Sequence, residues 1–188
     1  EKRFVNQIKV KQKQAQEIDK QIEKIIAEAT ARAKNKNLSE FNLTAEAKLI
    51  SKKFNENKGK LPWPVEKGMI ILRYGRQPHP IVKTTTIQSN GVRILTSKNQ
   101  EVRSIFDGKV HSIIVSKNGS HAILIQHGIF FSVYKNLAEI YVKKGEIIET
   151  KQVIGKLNTN KSTGQTILNF SIFKDGLTQN PSAWIYKM

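Results

Sequence analysis

The side chains able to do chemistry are few and scattered. Among 188 residues there are four histidines (His79, His111, His121 and His127), no cysteine and 15 Asp or Glu. His121 and His127 stand six positions apart in a stretch that reads as one strand, so ~20 Å separates them at ~3.3 Å per residue. His79 lies between Pro78 and Pro80 with no carboxylate near it, and His111 alternates with Val110 and Ile113 just after a turn. Each reads as a structural or surface histidine. The lack of cysteine excludes disulfides, thiolate metal sites and a cysteine nucleophile, though it identifies no compartment. Gly-x-Ser-x-Gly, P-loop and His-Glu-x-x-His patterns are all absent.

The elements that must position any site fall into three parts. Residues 1–36 read as the end of a coiled coil. Ala15, Ile18, Ile22, Ile25 and Ala29 are spaced 3, 4, 3 and 4 apart, Ile8 precedes Ala15 by one heptad, and neither Gly nor Pro occurs from Glu1 to Lys34. Such a rod is ~50 Å long, and its narrow seam calls for a partner helix; the alternative is a single surface helix packed on the following domain. Residues 37–60 hold a second, short helix from about Thr44 to Asn55 and the start of a Gly- and Pro-punctuated linker, Asn57–Pro64. Thr44 is its expected N-cap, and Leu43, Ala47, Ile50 and Phe54 share one apolar face that must dock on something. Residues 61–188 change texture to short β-branched runs. The expected strands are Met69–Tyr74, Gly91–Thr96, Val102–Phe106, Lys109–Val115, Ala122–Gln126, Phe130–Tyr134 and Ile167–Phe173, with Asp107-Gly108, Asn118-Gly119 and Asp175-Gly176 as turns. That spacing predicts an antiparallel β-sandwich or open barrel.

Lys and Arg number 32, giving a net charge of +17. Residues 1–60 hold 15 basic and 8 acidic residues and residues 61–188 hold 17 and 7, so the charge is spread over both parts and forms no basic tail. It suits polyanionic surroundings such as nucleic acid, anionic lipid or cell-wall polymer. Nucleic acid is not the expected partner, because zinc-finger spacing, RNP-type aromatics and a basic region feeding a zipper are all missing. No apolar run approaches the ~18–20 residues of a membrane helix. No signal peptide opens the sequence; an exported protein would have lost it.

Across the last two thirds of the chain an ordered series of segments stands out: Asn90-Gly91-Val92-Arg93-Ile94, Phe106-Asp107-Gly108, Gln126-His127-Gly128, Tyr134-Lys135-Asn136-Leu137, Val142-Lys143-Lys144-Gly145, Ile167-Leu168-Asn169-Phe170, and Asn180-Pro181 with Trp184. In order and spacing this resembles the LytM-like, lysostaphin-type zinc peptidases of bacterial cell walls. The resemblance implies that Ser89, Arg93 and Asn169 stand where that family has its zinc ligands, and Asn136 and Ile167 where it has two helper histidines. None of the five family residues is kept. Arg93 places a permanent cation where the metal needs an anionic ligand, and Ile167 cannot move a proton. The expectation is therefore no catalytic residue, no metal and no cofactor.

A coiled coil, a helical segment and an emptied LytM-like domain, in that order, resemble the EnvC-type activators of bacterial cell division. The resemblance implies a protein of the periplasm or cell envelope that activates N-acetylmuramoyl-L-alanine amidases at the septum. The amidase would sit in the emptied groove, formed by Ser89, Arg93, Tyr134, Asn136, Ile167 and Asn169, and the coiled coil would take a signal from the division-machinery membrane complex. It further implies a helical arm closing the groove, for which the face Leu43, Ala47, Ile50 and Phe54 is the candidate. The alternatives are a peptidoglycan-binding module without an amidase partner and a divergent zinc endopeptidase.

Overall fold

The computed structural model of the chain describes residues 2–35, 45–78, 86–117 and 119–188, and within the first helix the side chains of residues 16–32. Two helices come first, α1 (Lys2–Asn35) and α2 (Ala45–Glu56). Twelve strands follow: β1 (Met69–Leu72), β2 (Gly75–Pro78), β3 (Thr86–Ser89), β4 (Val92–Thr96), β5 (Glu101–Arg103), β6 (Gly108–Val115), β7 (His121–His127), β8 (Phe130–Ile140), β9 (Ile147–Ile148), β10 (Val153–Leu157), β11 (Thr166–Lys174) and β12 (Leu177–Gln179). A short 3-10 turn, Pro181–Ala183, opens on Asn180, whose side chain accepts the Ser182 N–H.

Ten strands make one unclosed antiparallel sheet with the path β1-β4-β11-β8-β7-β6-β9, flanked by β5, β10 and β12; β2 and β3 form a separate hairpin. The predicted β-rich domain is found as an open sheet. The centre of this sheet is buried on both faces. Strand alternation sends Ile123 and Ile125 of β7, Tyr134 of β8 and Leu168, Phe170 and Ile172 of β11 into the main core. Their neighbours Ala122, Leu124, Phe131, Val133 and Phe173 point the other way into a second core. A strand covered on both sides carries an unbroken apolar run instead of an alternating one, which is the physical reason for Ala122-Ile123-Leu124-Ile125.

What covers the second face is α1. Ile22 and Ile26 are buried against it, with Ile18, Ile25 and Ala29 packed around them. This differs from the expected coiled-coil end: in the described part of the seam the partner is a sheet of the same chain, as in the surface-helix alternative. The reason lies in Ile26, which sits beside Ile25 and one turn after Ile22, and widens the seam to a stripe fit for a flat surface. Each buried isoleucine contributes roughly 2 kcal/mol of apolar burial.

The helix α2 occupies a different place. Leu43 and the expected N-cap Thr44 lie outside the described residues. Ala47 is half-buried, Ile50 packs against the main core and Phe54 is wholly inside it. The Phe54 ring stacks on Phe130 at 4.5 Å and meets Phe106, His127 and Trp184 at 5.4, 5.1 and 5.3 Å. Ser51 Oγ donates to the Ala47 carbonyl (2.8 Å) and accepts the Ile129 N–H (3.0 Å). At the β7–β8 turn Gly128 has φ +70°, and a Cβ there would lie 1.8 Å from Ser51 Oγ, so the helix sits directly on the turn backbone. A detachable α2 conflicts with this placement, because leaving would pull Phe54 from the aromatic cluster of the core.

Candidate functional site

The site is built from one row of cross-strand neighbours. In register, Arg93 of β4 faces Asn169 of β11, Asn169 faces Lys135 of β8, and Lys135 faces Ala122 of β7. All four belong to the face of the sheet that α1 covers, since their strands alternate with the core residues named above. Close pairing at the start of β4 depends on Gly91, where a Cβ would lie 2.2 Å from the Phe170 carbonyl oxygen.

Of the six residues expected to line the groove, four come together around one open cavity of about 720 Å³: Arg93, Asn136, Ile167 and Asn169. Arg93 is exposed. Asn136 is held in the left-handed region at φ 77°, which asparagine tolerates better than most residues. It bulges out of β8, where the register with β7 slips between His121 and Ala122. Its amide donates to the Ile167 carbonyl at 2.7 Å and the Asn158 carbonyl at 3.3 Å, tying β8 to β11 and to the loop before it.

The other two stand apart. Ser89, at the end of β3, donates its hydroxyl to the Gly91 carbonyl at 2.8 Å and is not among the residues that line the cavity. Tyr134 faces the main core, the consequence of strand parity beside Lys135 on the groove face. Its hydroxyl accepts the Ile105 N–H at 3.0 Å, and burial pushes its pKa up to about 12.

The histidines divide as the elements dictate. His127 is fully buried; its Nδ1–H donates to the Asp107 carbonyl (2.7 Å), which leaves Nε2 to accept from the Ser132 hydroxyl at 2.7 Å. Desolvation lowers its pKa to about 4, partly opposed by the bond to Asp107. His111 packs edge-on against Phe131 at 5.3 Å, and burial lowers its pKa. His79 lies outside the described residues. His121 does reach the cavity, which the sequence reading missed.

No group of three or more His, Cys, Asp or Glu is placed to hold a metal ion among the described residues. The positions that matter hold a hydroxyl, a guanidinium and an amide, a donor set that does not fit zinc, which takes imidazole, thiolate or carboxylate ligands.

The rim of the site is held by α1. Glu17 pairs with Lys117 at 3.1 Å, Asp19 pairs with Lys135, and Glu23 accepts from the Asn90 amide at 3.2 Å. Ile18 lines the cavity itself. Asn90 opens the β4 segment and Lys135 sits in the central row, so α1 touches the groove at two of its defining strands.

Residues 88–181, half of the chain, match the model of peptidase family M23. No curated protein sequence matches the chain. Among solved structures, Helicobacter pylori Csd3 is similar at 25% identity and a TM-score of 0.57, over 68% of this chain and 35% of that one. A zinc-containing peptidase from Vibrio cholerae is similar at 24% and 0.56, over 66% and 40% of the two chains. The SpoIIQ–SpoIIIAH pore-forming complex contributes a chain at 20% and 0.54, over 69% and 93%. The present chain thus spans about a third of the length of Csd3. By its matched domain and its sheet, the chain belongs to peptidase family M23.

Proposed function

We propose that this chain is a non-catalytic activator of N-acetylmuramoyl-L-alanine amidases, working in the periplasm or cell envelope during septum splitting. The amidase docks in the emptied groove around Arg93, Asn136, Ile167 and Asn169, and α1 is the arm that keeps it out. The observation that carries this reading is α1 itself, lying on the face of the sheet where the family's metal would stand. A peptidase needs that face open to substrate; a regulated binder gains from closing it. The lack of a fitting zinc donor set among the described residues supports the same side, as does the use of this fold in a two-protein complex, SpoIIQ–SpoIIIAH.

The helix-in-groove mode suits both occupants, since α1 already presents an apolar stripe with an acidic rim. If the covered state is favoured by ~3 kcal/mol, apparent amidase affinity falls about a hundredfold. A signal from the division-machinery membrane complex, passed through α1, would restore it. The test is peptidoglycan release by amidases of the same organism mixed with the wild-type chain or with Ile22→Asp/Ile26→Asp. Release should rise at least tenfold with the double variant, and amidases indifferent to both forms would refute the assignment. The second reading, peptidoglycan binding without an amidase, is favoured by the amide and hydroxyl groups around the cavity.

A further inference from the structure

The cavity that α1 leaves open is chemically one-sided. Arg93, Lys135 and Lys161 line it, no Asp or Glu does among the described residues, and Asn158, Thr159 and Asn169 add amide and hydroxyl groups. Neither Arg93 nor Lys161 has a carboxylate within ion-pair distance among the described residues. Lys135 has one, and it comes from α1: the Asp19 carboxylate sits at the cavity rim, with the Lys135 side chain 22% and the Asp19 side chain 46% exposed. The preceding residue, Ile18, forms part of the wall. The chain therefore already seats one carboxylate at the mouth of a cationic, polar cavity, on the helix that borders it.

We propose that this cavity binds a small carboxylate-bearing polyol, whose carboxylate displaces Asp19 from Lys135 and so loosens α1. A volume of about 720 Å³ lies in the range of small-molecule sites. Arg93 and Lys161 give the ligand an anchor that Asp19 does not use, so it binds before the helix leaves. Lys135 then couples the two events, because the incoming carboxylate competes with Asp19 for the same ammonium and the two like charges repel each other across it. Ligand binding and α1 docking oppose each other through that shared group, and the effect must be reciprocal. This rests on the reading of α1 as a cover. It names a chemical signal that would act alongside any pull on the helix.

The probe is N-acetylmuramic acid, with N-acetylglucosamine as the control that lacks the lactyl carboxylate. The full chain is titrated with each sugar while hydrogen exchange is followed at α1 amides between residues 17 and 30. The acidic sugar should speed exchange there about threefold or more, and the neutral sugar should not. Asp19→Asn removes the internal competitor and should bind the acidic sugar about fivefold tighter, the scale of a partly exposed ion pair. Lys161→Gln should weaken binding severalfold without altering α1 exchange in sugar-free protein, which separates ligand binding from helix docking. Four results would overturn the proposal: equal response to both sugars, binding without faster exchange, no gain in Asp19→Asn, or binding only of a helical peptide copying residues 14–33. No amidase is present, so failed amidase activation and failed sugar coupling are read in separate experiments.

Discussion

The helices α1 and α2 are both amphipathic and both precede the sheet, yet they are attached by different physics. Phe54 of α2 is enclosed by four aromatic rings, and the backbone of the β7–β8 turn rests on Ser51. The docked part of α1 lies on the outside of the sheet on two buried isoleucines, with Glu17, Asp19 and Glu23 tied to the rim. One helix is a piece of the core; the other rests on the outer face of the sheet, on a small apolar seat with a polar rim. In residue pattern they look alike, and what separates them is whether the apolar face reaches into the main core or rests on the far side of a strand.

That contrast can be broken by measurement. Phe54→Ala should destabilise the whole domain by about 3–5 kcal/mol, seen as a shifted denaturation midpoint; a shift below about 1 kcal/mol would make α2 detachable after all. Acidification should act on the same region. His127 is neutral in the fold with a pKa of about 4 against 6.5 for a free histidine, so between those values the unfolded chain binds the proton and the folded chain does not. Stability should be full above pH ~6.5 and fall by up to about 3 kcal/mol as pH drops to ~4. His127→Gln should flatten that slope in chemical denaturation.

On the α1 side, Ile26→Ala should cost about 2 kcal/mol of helix docking, with faster hydrogen exchange in α1 and a midpoint for the sheet that moves far less than in Phe54→Ala. An equal fall of both would show that α1 and the core unfold as one. Arg93→Glu, at an exposed position, should leave the fold intact and weaken amidase binding about tenfold by calorimetry; unchanged affinity would move the interface off this row. The smallest effect belongs to Glu17→Gln. Its pair with Lys117 is exposed on both sides, so docking should weaken by less than about 1 kcal/mol and the loss should vanish in high salt.

The β-rich domain was legible because its strands carry β-branched runs between Gly-containing turns. The strands that went unseen are short or atypical. Ile147–Ile148 has two residues, and Val153–Leu157 carries Gly155, which the backbone requires because a Cβ there would lie 2.4 Å from the Glu139 carbonyl oxygen. Four of six groove positions gather at the cavity because motif spacing carries strand register with it. Tyr134 was misplaced by ignoring parity: its neighbour Lys135 faces the groove, so Tyr134 cannot. The docking of α1 had two signals in the sequence, Ile26 beside the seam and the unbroken run Ala122–Ile125, which demands cover on both faces. The location of that cover was not legible, since periodicity gives the width of a face and not its partner.

Among the described side chains of α1, those seated on the sheet lie between Ile18 and Thr30. From Ile18 to Thr30 the seat spans ~18 Å, while the backbone helix continues toward Lys2 for another ~24 Å at 1.5 Å per residue. A rigid rod held at this seat and loaded at its far end is a lever. Force applied at its far end arrives at the Ile18 end of the seat as torque, and peels the contacts in turn instead of breaking them together. The first to yield would be Glu17 and Asp19, the grips beside the cavity, so a sideways push needs less force than a straight pull to bare the groove.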